Sequence, residues 1–343
     1  MQMRRKDIVS LAVRSFAHFL VDAVCASALY GRGCGTAEIL VYDTIAFSTQ
    51  CMTGMIADRF RSRLNAISAC SCLLLAMAFV TPAGNMTRAA VLGIGNSFFH
   101  TSAGAAVLAE SGKKAYPEGV FVAPGCIGLA LGTLFPGIGR IWAAGAVLIA
   151  AALSALGGEE PAAPDVTAPN AAPAGRRAGH AVPLSLFTAV AVRAFGGSVV
   201  SFSWKNGAVG ALLVTVAVFA GKAAGGFAAD RLDVRKLSLF SVTAAAFLIA
   251  FGNSDPVLSL AGQFLINLTM PVTLWLMYLA LPDEPGFAFG LSAAALWPGS
   301  LAGYLVSLTG AWRWICVLIC FLSGAAAILY SIRIIEKGGS FDE

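Results

Sequence analysis

Residues 54–63 read Gly54-Met55-Ile56-Ala57-Asp58-Arg59-Phe60-Arg61-Ser62-Arg63, and residues 226–236 read Gly226-Phe227-Ala228-Ala229-Asp230-Arg231-Leu232-Asp233-Val234-Arg235-Lys236. Both follow the pattern G-x-x-A-D-R-x-x-x-R. Asp58 and Asp230 stand 172 residues apart in a chain of 343, so the pattern repeats at half-length. Each copy closes a long apolar run. A motif recurring at the same place in two halves implies that the halves share one architecture. Glycine at its head lets neighbouring helices approach closely. Its aspartate, at a helix end, is placed to pair with arginines or to cap a helix N-terminus.

Working outward, 58% of the residues are hydrophobic and 12% are charged; a soluble domain carries about 25% charged residues. This excludes a soluble enzyme, a disordered chain and a nucleic-acid binder, despite the formal charge of +5. The apolar residues form continuous runs rather than alternating, so the spans are helices, which satisfy their own backbone hydrogen bonds in lipid. The runs predict spans over 8–30, 37–57, 64–82, 88–110, 117–138, 140–157, 183–204, 207–229, 237–254, 256–281, 286–309 and 312–334. The expected fold is an all-α polytopic membrane protein with twelve transmembrane helices in two six-helix bundles. Residues 1–157 form the first bundle and 183–343 the second. The segment 158–182, rich in proline, alanine and polar residues, is a cytoplasmic linker.

Arg14, His18 and Asp22 interrupt the first run, which is not the apolar core of a signal peptide. With both termini in the cytoplasm, fifteen lysines and arginines fall on the inner side and five, including Arg88, on the outer side. That positive-inside bias sets the orientation; the expected location is a bacterial plasma (inner) membrane. The eight cysteines show neither a CxxC pair nor a cysteine-rich loop, and read as small buried hydrophobes. No P-loop, HExxH or GxSxG pattern occurs, so no enzyme activity and no cofactor are expected.

The repeated loop resembles the signature of the major facilitator superfamily, which implies two bundles around a central cavity that opens alternately to either side. A narrower set, His18-x-x-x-Asp22, Gln50, Gly93-Ile-Gly-Asn96-Ser-Phe-Phe99-His100 and Ser111-Gly-Lys-Lys114, resembles the fosmidomycin-resistance branch of that superfamily. Thr101 follows His100 where the branch has proline. The resemblance implies export of a drug-like phosphonate or similar compound, and hence antibiotic resistance.

An ionisable group inside a bilayer costs about 2.5–3.5 kcal/mol, so each needs a reason. At 1.5 Å per residue, His18, His100 and Arg193 lie roughly 15 Å, and Asp22 and Asp43 roughly 21 Å, from the cytoplasmic side. Asp22, His18 and Asp43 are the candidate proton-coupling groups. Arg14, His18 and Asp22 share one helix face at i, i+4, i+8; Arg14 is read as snorkelling. Arg193 keeps its charge and needs Asp22, Asp43 or a substrate anion opposite it. Arg193, His100, Asn96, His18, Trp204 and Asn267 are the candidate substrate-binding residues. Gly54, Asp58, Arg59, Arg63, Gly226, Asp230, Arg231 and Arg235 are expected to form a conformational latch. The function expected is secondary active transport of a small polar or anionic organic solute, coupled to protons, by a monomer whose partners are solute, protons and bilayer. The rivals are a divalent transition-metal transporter using His18, Asp22, Cys25, Asp43 and His100, for which mixed donors are suited, and a non-transporting membrane receptor.

Overall fold

The computed structural model describes residues 5–156 and 180–337. Every regular element among them is helical. The first half of the chain forms α1 (Arg5–Tyr30), α2 (Thr36–Asp43), α3 (Gln50–Arg59), α4 (Leu64–Val80), α5 (Asn85–Glu110), α6 (Tyr116–Leu134) and α7 (Gly139–Ala155). The second half forms α8 (Ala181–Ser198), α9 (Gly207–Ala229), α10 (Val234–Phe251), α11 (Pro256–Ala280), α12 (Pro285–Ala294), α13 (Leu296–Leu305) and α14 (Gly310–Lys337). Most of the expected linker lies outside the described residues, and α8 begins at Ala181.

Nine helices among the described residues are long and apolar enough to cross a membrane. The chain is a multi-pass membrane protein. Three of the twelve expected spans do not meet that description, each for a local reason. The run 37–57 is split into α2, a turn of π-helix at Thr44–Ser48, and α3. There Thr44 and Thr49 donate to the carbonyls of Leu40 and Ile45, each at 2.6 Å, and Ser48 donates to that of Thr44. Hydroxyls bonded back to the preceding turn compete with the helical ladder and bend it. The run 286–309 breaks at Ala295, between α12 and α13. Pro298 has no N–H to offer the carbonyl of Ala294, so the ladder cannot run through. α5 is continuous and 26 residues long, but buries Asn96, Ser97, Thr101 and Ser102, so it is less apolar than its neighbours.

The described residues fall into two compact units. One comprises those of Met1–Gly112, Val120–Ala163 and Glu284–Leu291, the other those of Lys113–Gly119, Pro164–Asp283 and Ser292–Glu343. In the first, α4 packs against α5 and α7, and α1 against α5 and α7. Hydroxyls tie α3 to α5: Ser97 Oγ lies 2.8 Å from Thr49 Oγ1 and 2.9 Å from Thr53 Oγ1. In the second, α11 packs between α9 and α10, and α8 against α13 and α14. Its core joins Val242, Ala245, Ala246, Ile249, Ile266, Val317 and Phe321.

Arg88, expected in an outer loop, lies in the first turn of α5 with 2% of its surface exposed. It donates to the carbonyls of Ala78 (3.2 Å) and Thr81 (2.9 Å) and to Asn85 (3.2 Å). Ala78 belongs to the last turn of α4, where a cation complements the carbonyl end of the helix dipole.

Candidate functional site

Within the first unit, α1 and α5 bring His18, Asp22 and His100 together, with donor atoms all within 4.8 Å of one another. The i, i+4 spacing puts His18 Nε2 3.3 Å from Asp22 Oδ2. His100 Nε2 stands 3.8 Å from Asp22 Oδ1 and 2.9 Å from His18 Nε2. Asn96, one turn before His100, donates to Asp22 Oδ1 at 3.3 Å. Each ring is fixed at its other nitrogen: His18 Nδ1 donates to the Phe121 carbonyl (2.8 Å) and His100 Nδ1 to the Asn96 carbonyl (2.9 Å). Phe99 and Phe121 enclose the His18 ring. α6 reaches this close only because residue 125 is glycine; a Cβ there would stand 2.6 Å from Asp22 Oδ2. Four of the sequence candidates, His18, Asp22, Asn96 and His100, are therefore one constellation. Its spacing could also hold a metal ion, but Cys25 and Asp43, the other donors of the metal reading, stand outside it. Asp43 closes α2, before the π-turn.

Other candidates take different places. Arg14 does not snorkel. It is 2% exposed and bonds Glu110 at 2.7 Å, Asn65 at 2.8 Å and Ser10, tying α1 to α4 and α5. In the second unit, Arg193 on α8 is half-buried and donates to Thr269 Oγ1 on α11 at 3.3 Å. No carboxylate among the described residues of its own unit pairs with it. Trp204 is a packing residue: its Nε1 donates to Ser259 Oγ at 3.0 Å, and its ring stacks on Phe202. Asn267 donates to the carbonyl of Gln263 on its own helix at 2.8 Å.

The two motif aspartates act alike. Asp58 accepts the backbone N–H groups of Gly286 and Phe287, each at 2.7 Å, at the start of α12. Asp230 accepts those of Ala115 (2.7 Å) and Tyr116 (3.1 Å), at the start of α6. Each carboxylate thus caps a helix whose sequence lies in the opposite half of the chain, where orphan N–H groups and the helix dipole favour an anion. The motif glycines permit the contact. A Cβ on Gly54 would stand 2.7 Å from the carbonyl carbon of Gly286, and one on Gly226 2.7 Å from Tyr116 Cα. Burial pushes the Asp58 carboxyl up, while its two backbone donors and Arg61 pull it back. The motif arginines do other work: Arg235 pairs with Glu336, Arg231 lies over the Phe227 ring, and Arg61 rather than Arg59 or Arg63 stands near Asp58, at 3.8 Å.

No protein-family model matches the chain, and no curated protein does. Solved structures do. A variant of the E. coli fucose:proton symporter FucP aligns with a TM-score of 0.66 at 14% identity, over 95% of this chain and 99% of that one. A FucP structure described as a major facilitator superfamily transporter in the outward conformation aligns at 0.59 and 13%, over 95% and 99%. The chain has the major facilitator fold. At this identity the likeness covers the fold and does not extend to the fosmidomycin-resistance branch.

Within the major facilitator fold, several contributors were not foreseeable as such. Phe121 acts through its backbone carbonyl, which no residue type betrays. Gly125 acts by lacking a side chain, which lets α6 approach Asp22. Thr269 carried no signal until Arg193 was seen to reach it.

Proposed function

We propose that this chain is a secondary active transporter that moves a small polar or anionic organic solute by alternating access, with protons as the coupling ion. The reading is carried by one observation: two histidines and an aspartate, mutually within hydrogen-bond or ion-pair distance, sit deep in helices of a multi-pass membrane protein. Such groups are costly in lipid and are commonly retained for ion or proton pathways. Asp22 with His18 forms the coupling centre; Asp43 is a secondary candidate. Arg193, held at one N–H by Thr269, keeps further donors for a substrate anion. Asp58 and Asp230 act as conformational latches, because a capped helix start released during the cycle uncovers its orphan N–H groups. The fold's FucP neighbours include a proton symporter; the positive-inside bias supports reading both termini as cytoplasmic, in a bacterial plasma membrane. The sequence resemblance makes efflux of a phosphonate-like drug the first substrate class to try.

The test is a thermal-stabilisation screen of the purified protein against phosphonates, carboxylates and sugars, with Zn²⁺ and Mn²⁺ as metal probes. Uptake of any stabilising solute into proteoliposomes is then measured with and without a pH gradient. Gradient-driven accumulation of an organic solute is expected. Stabilisation and uptake confined to the metal ions would replace this reading with metal transport.

A further inference from the structure

His18, Asp22 and His100 have the donors of a metal-ion site. His18 and Asp22 lie one turn apart on α1, His100 reaches them from α5, and one donor atom from each lies within 4.8 Å of the others. His18 Nε2 stands 2.9 Å from His100 Nε2 and 3.3 Å from Asp22 Oδ2, and His100 Nε2 stands 3.8 Å from Asp22 Oδ1. The rings meet edge to face, so their Nε2 lone pairs are not opposed. Ligands bound at about 2.0–2.1 Å to a tetrahedral ion stand roughly 3.3 Å apart. Neighbouring ligands of an octahedral ion at about 2.1 Å stand roughly 3.0 Å apart. The observed separations bracket both, so a bound ion needs side-chain shifts of about half an ångström or less.

The surroundings fit the same use. A histidine that binds a metal donates its other ring N–H to a carbonyl or carboxylate, which fixes the tautomer and aims the ring. Both rings do so here, His18 Nδ1 to the Phe121 carbonyl and His100 Nδ1 to the Asn96 carbonyl. A carbonyl oxygen only accepts, so in each neutral ring Nε2 is the nitrogen with the lone pair. The Asn96 side chain orients the carboxylate by donating to Asp22 Oδ1. The charge of Arg14, one turn earlier on α1, is offset by Glu110. Asp22 and His100 keep 19% and 12% of their side-chain surface exposed, which gives an ion a way in. Two imidazoles and one carboxylate suit a first-row transition ion better than Mg²⁺ or Ca²⁺, and three protein ligands leave a position open to water.

We propose that His18 Nε2, His100 Nε2 and the Asp22 carboxylate bind one divalent transition-metal ion in an open three-ligand site, and that the bound ion arrests transport by occupying the coupling centre. Binding joins α1 to α5 through the metal, with α6 supporting from Phe121. The arrest rests on the coupling-centre reading; the site itself rests on the geometry alone.

Zn²⁺ is the probe, titrated by calorimetry into the full chain in nanodiscs. One saturable site is expected. It should be lost in His100→Gln and kept in His180→Gln, which changes the remaining histidine of the three. Asn96→Ala keeps the carbonyl that holds His100 but not the amide that orients Asp22, and should weaken binding about 10–100-fold. X-ray absorption of the Zn²⁺-loaded wild type should show a nitrogen and oxygen shell with two imidazoles and no sulfur, which decides the matter even where a variant fails to fold. Absence of saturable binding, a shell containing sulfur, or a site unchanged in folded His100→Gln would overturn the proposal. In proteoliposomes, Zn²⁺ should stop the gradient-driven accumulation of a solute found by the stabilisation screen. Such accumulation by a protein that binds no Zn²⁺ would discard this inference and keep proton coupling. The expected zinc shell in a transporter indifferent to a pH gradient would keep the site and discard proton coupling. Accumulation of Zn²⁺ itself inside the vesicles would overturn the arrest and the organic-solute reading together.

Discussion

Asp58→Asn isolates the helix-start contact. The carboxylate gives one oxygen to each of two N–H groups, both at 2.7 Å. An asparagine keeps one acceptor and turns an NH₂ toward the other donor. The change removes a charge-assisted bond, worth about 1.5–3 kcal/mol, and the favourable charge at a helix start, about 0.3–1 kcal/mol. Arg61 at 3.8 Å loses its counter-ion as well, a small term for a partly exposed pair. Retained asparagine bonding offsets part of the loss, leaving about 2 kcal/mol, or roughly 30-fold in the equilibrium between capped and released α12. Cys51 reports on that equilibrium, because its Sγ lies 3.9 Å from the Gly290 carbonyl of α12. In a variant that keeps only this cysteine, maleimide labelling should speed up by roughly that 30-fold factor when opening is fast relative to labelling. Solute specificity should be unchanged. An unaltered labelling rate in a folded Asp58→Asn protein would show that the cap does not hold α12 in place.

Three further changes probe the remaining contacts. Asp22→Asn should abolish solute accumulation driven by a pH gradient while leaving solute-for-solute exchange measurable in the same proteoliposomes. Arg193→Lys keeps a charge but loses the guanidinium fork, and should weaken binding of an anionic solute, with Arg193→Gln weaker still. Titration calorimetry showing undiminished anion affinity in a stable Arg193→Gln protein would remove Arg193 from the site. Arg88→Met leaves the carbonyls of Ala78 and Thr81 without their buried donor and should cost about 2–4 kcal/mol, read as a lowered melting temperature with unchanged affinity in the surviving folded protein.

What the sequence disclosed and what it withheld divide along physical lines. Apolar runs report lipid exposure directly, so nine of the twelve spans read from them are long apolar helices among the described residues, and the G-x-x-A-D-R repeat recurs at half-length. The i, i+4 placement of His18 and Asp22 is local and could be read as one face. The partners of Asp58 and Asp230 could not, because a carboxylate that caps a helix binds backbone, and the capped residues Gly286, Phe287, Ala115 and Tyr116 carry no matching signature. Arg14 and Arg88 were misplaced for a shared reason: burial of an arginine depends on carbonyls and carboxylates contributed by other helices. Trp204 shows the converse, a residue type suggestive of ligand stacking whose N–H and ring face are both occupied internally. The interruptions at Thr44–Ser48 and Ala295 follow from residues in plain view, Thr44, Ser48, Thr49 and Pro298, which a count of apolar residues weighs too lightly.

The polarity of α5 has a consequence for biogenesis. Synthesised segments leave the ribosome from the N-terminus onward, and a helix carrying Asn96, His100 and Glu110 is a poor candidate for spontaneous partition from the translocon into lipid. Its complements are already made: Asp22 for Asn96, His18 for His100 and Arg14 for Glu110 all lie on α1. Once inserted, α1 thus holds the partners that offset the polar face of α5. The same polar residues that carry the proposed coupling therefore also offset one another's cost of entering lipid.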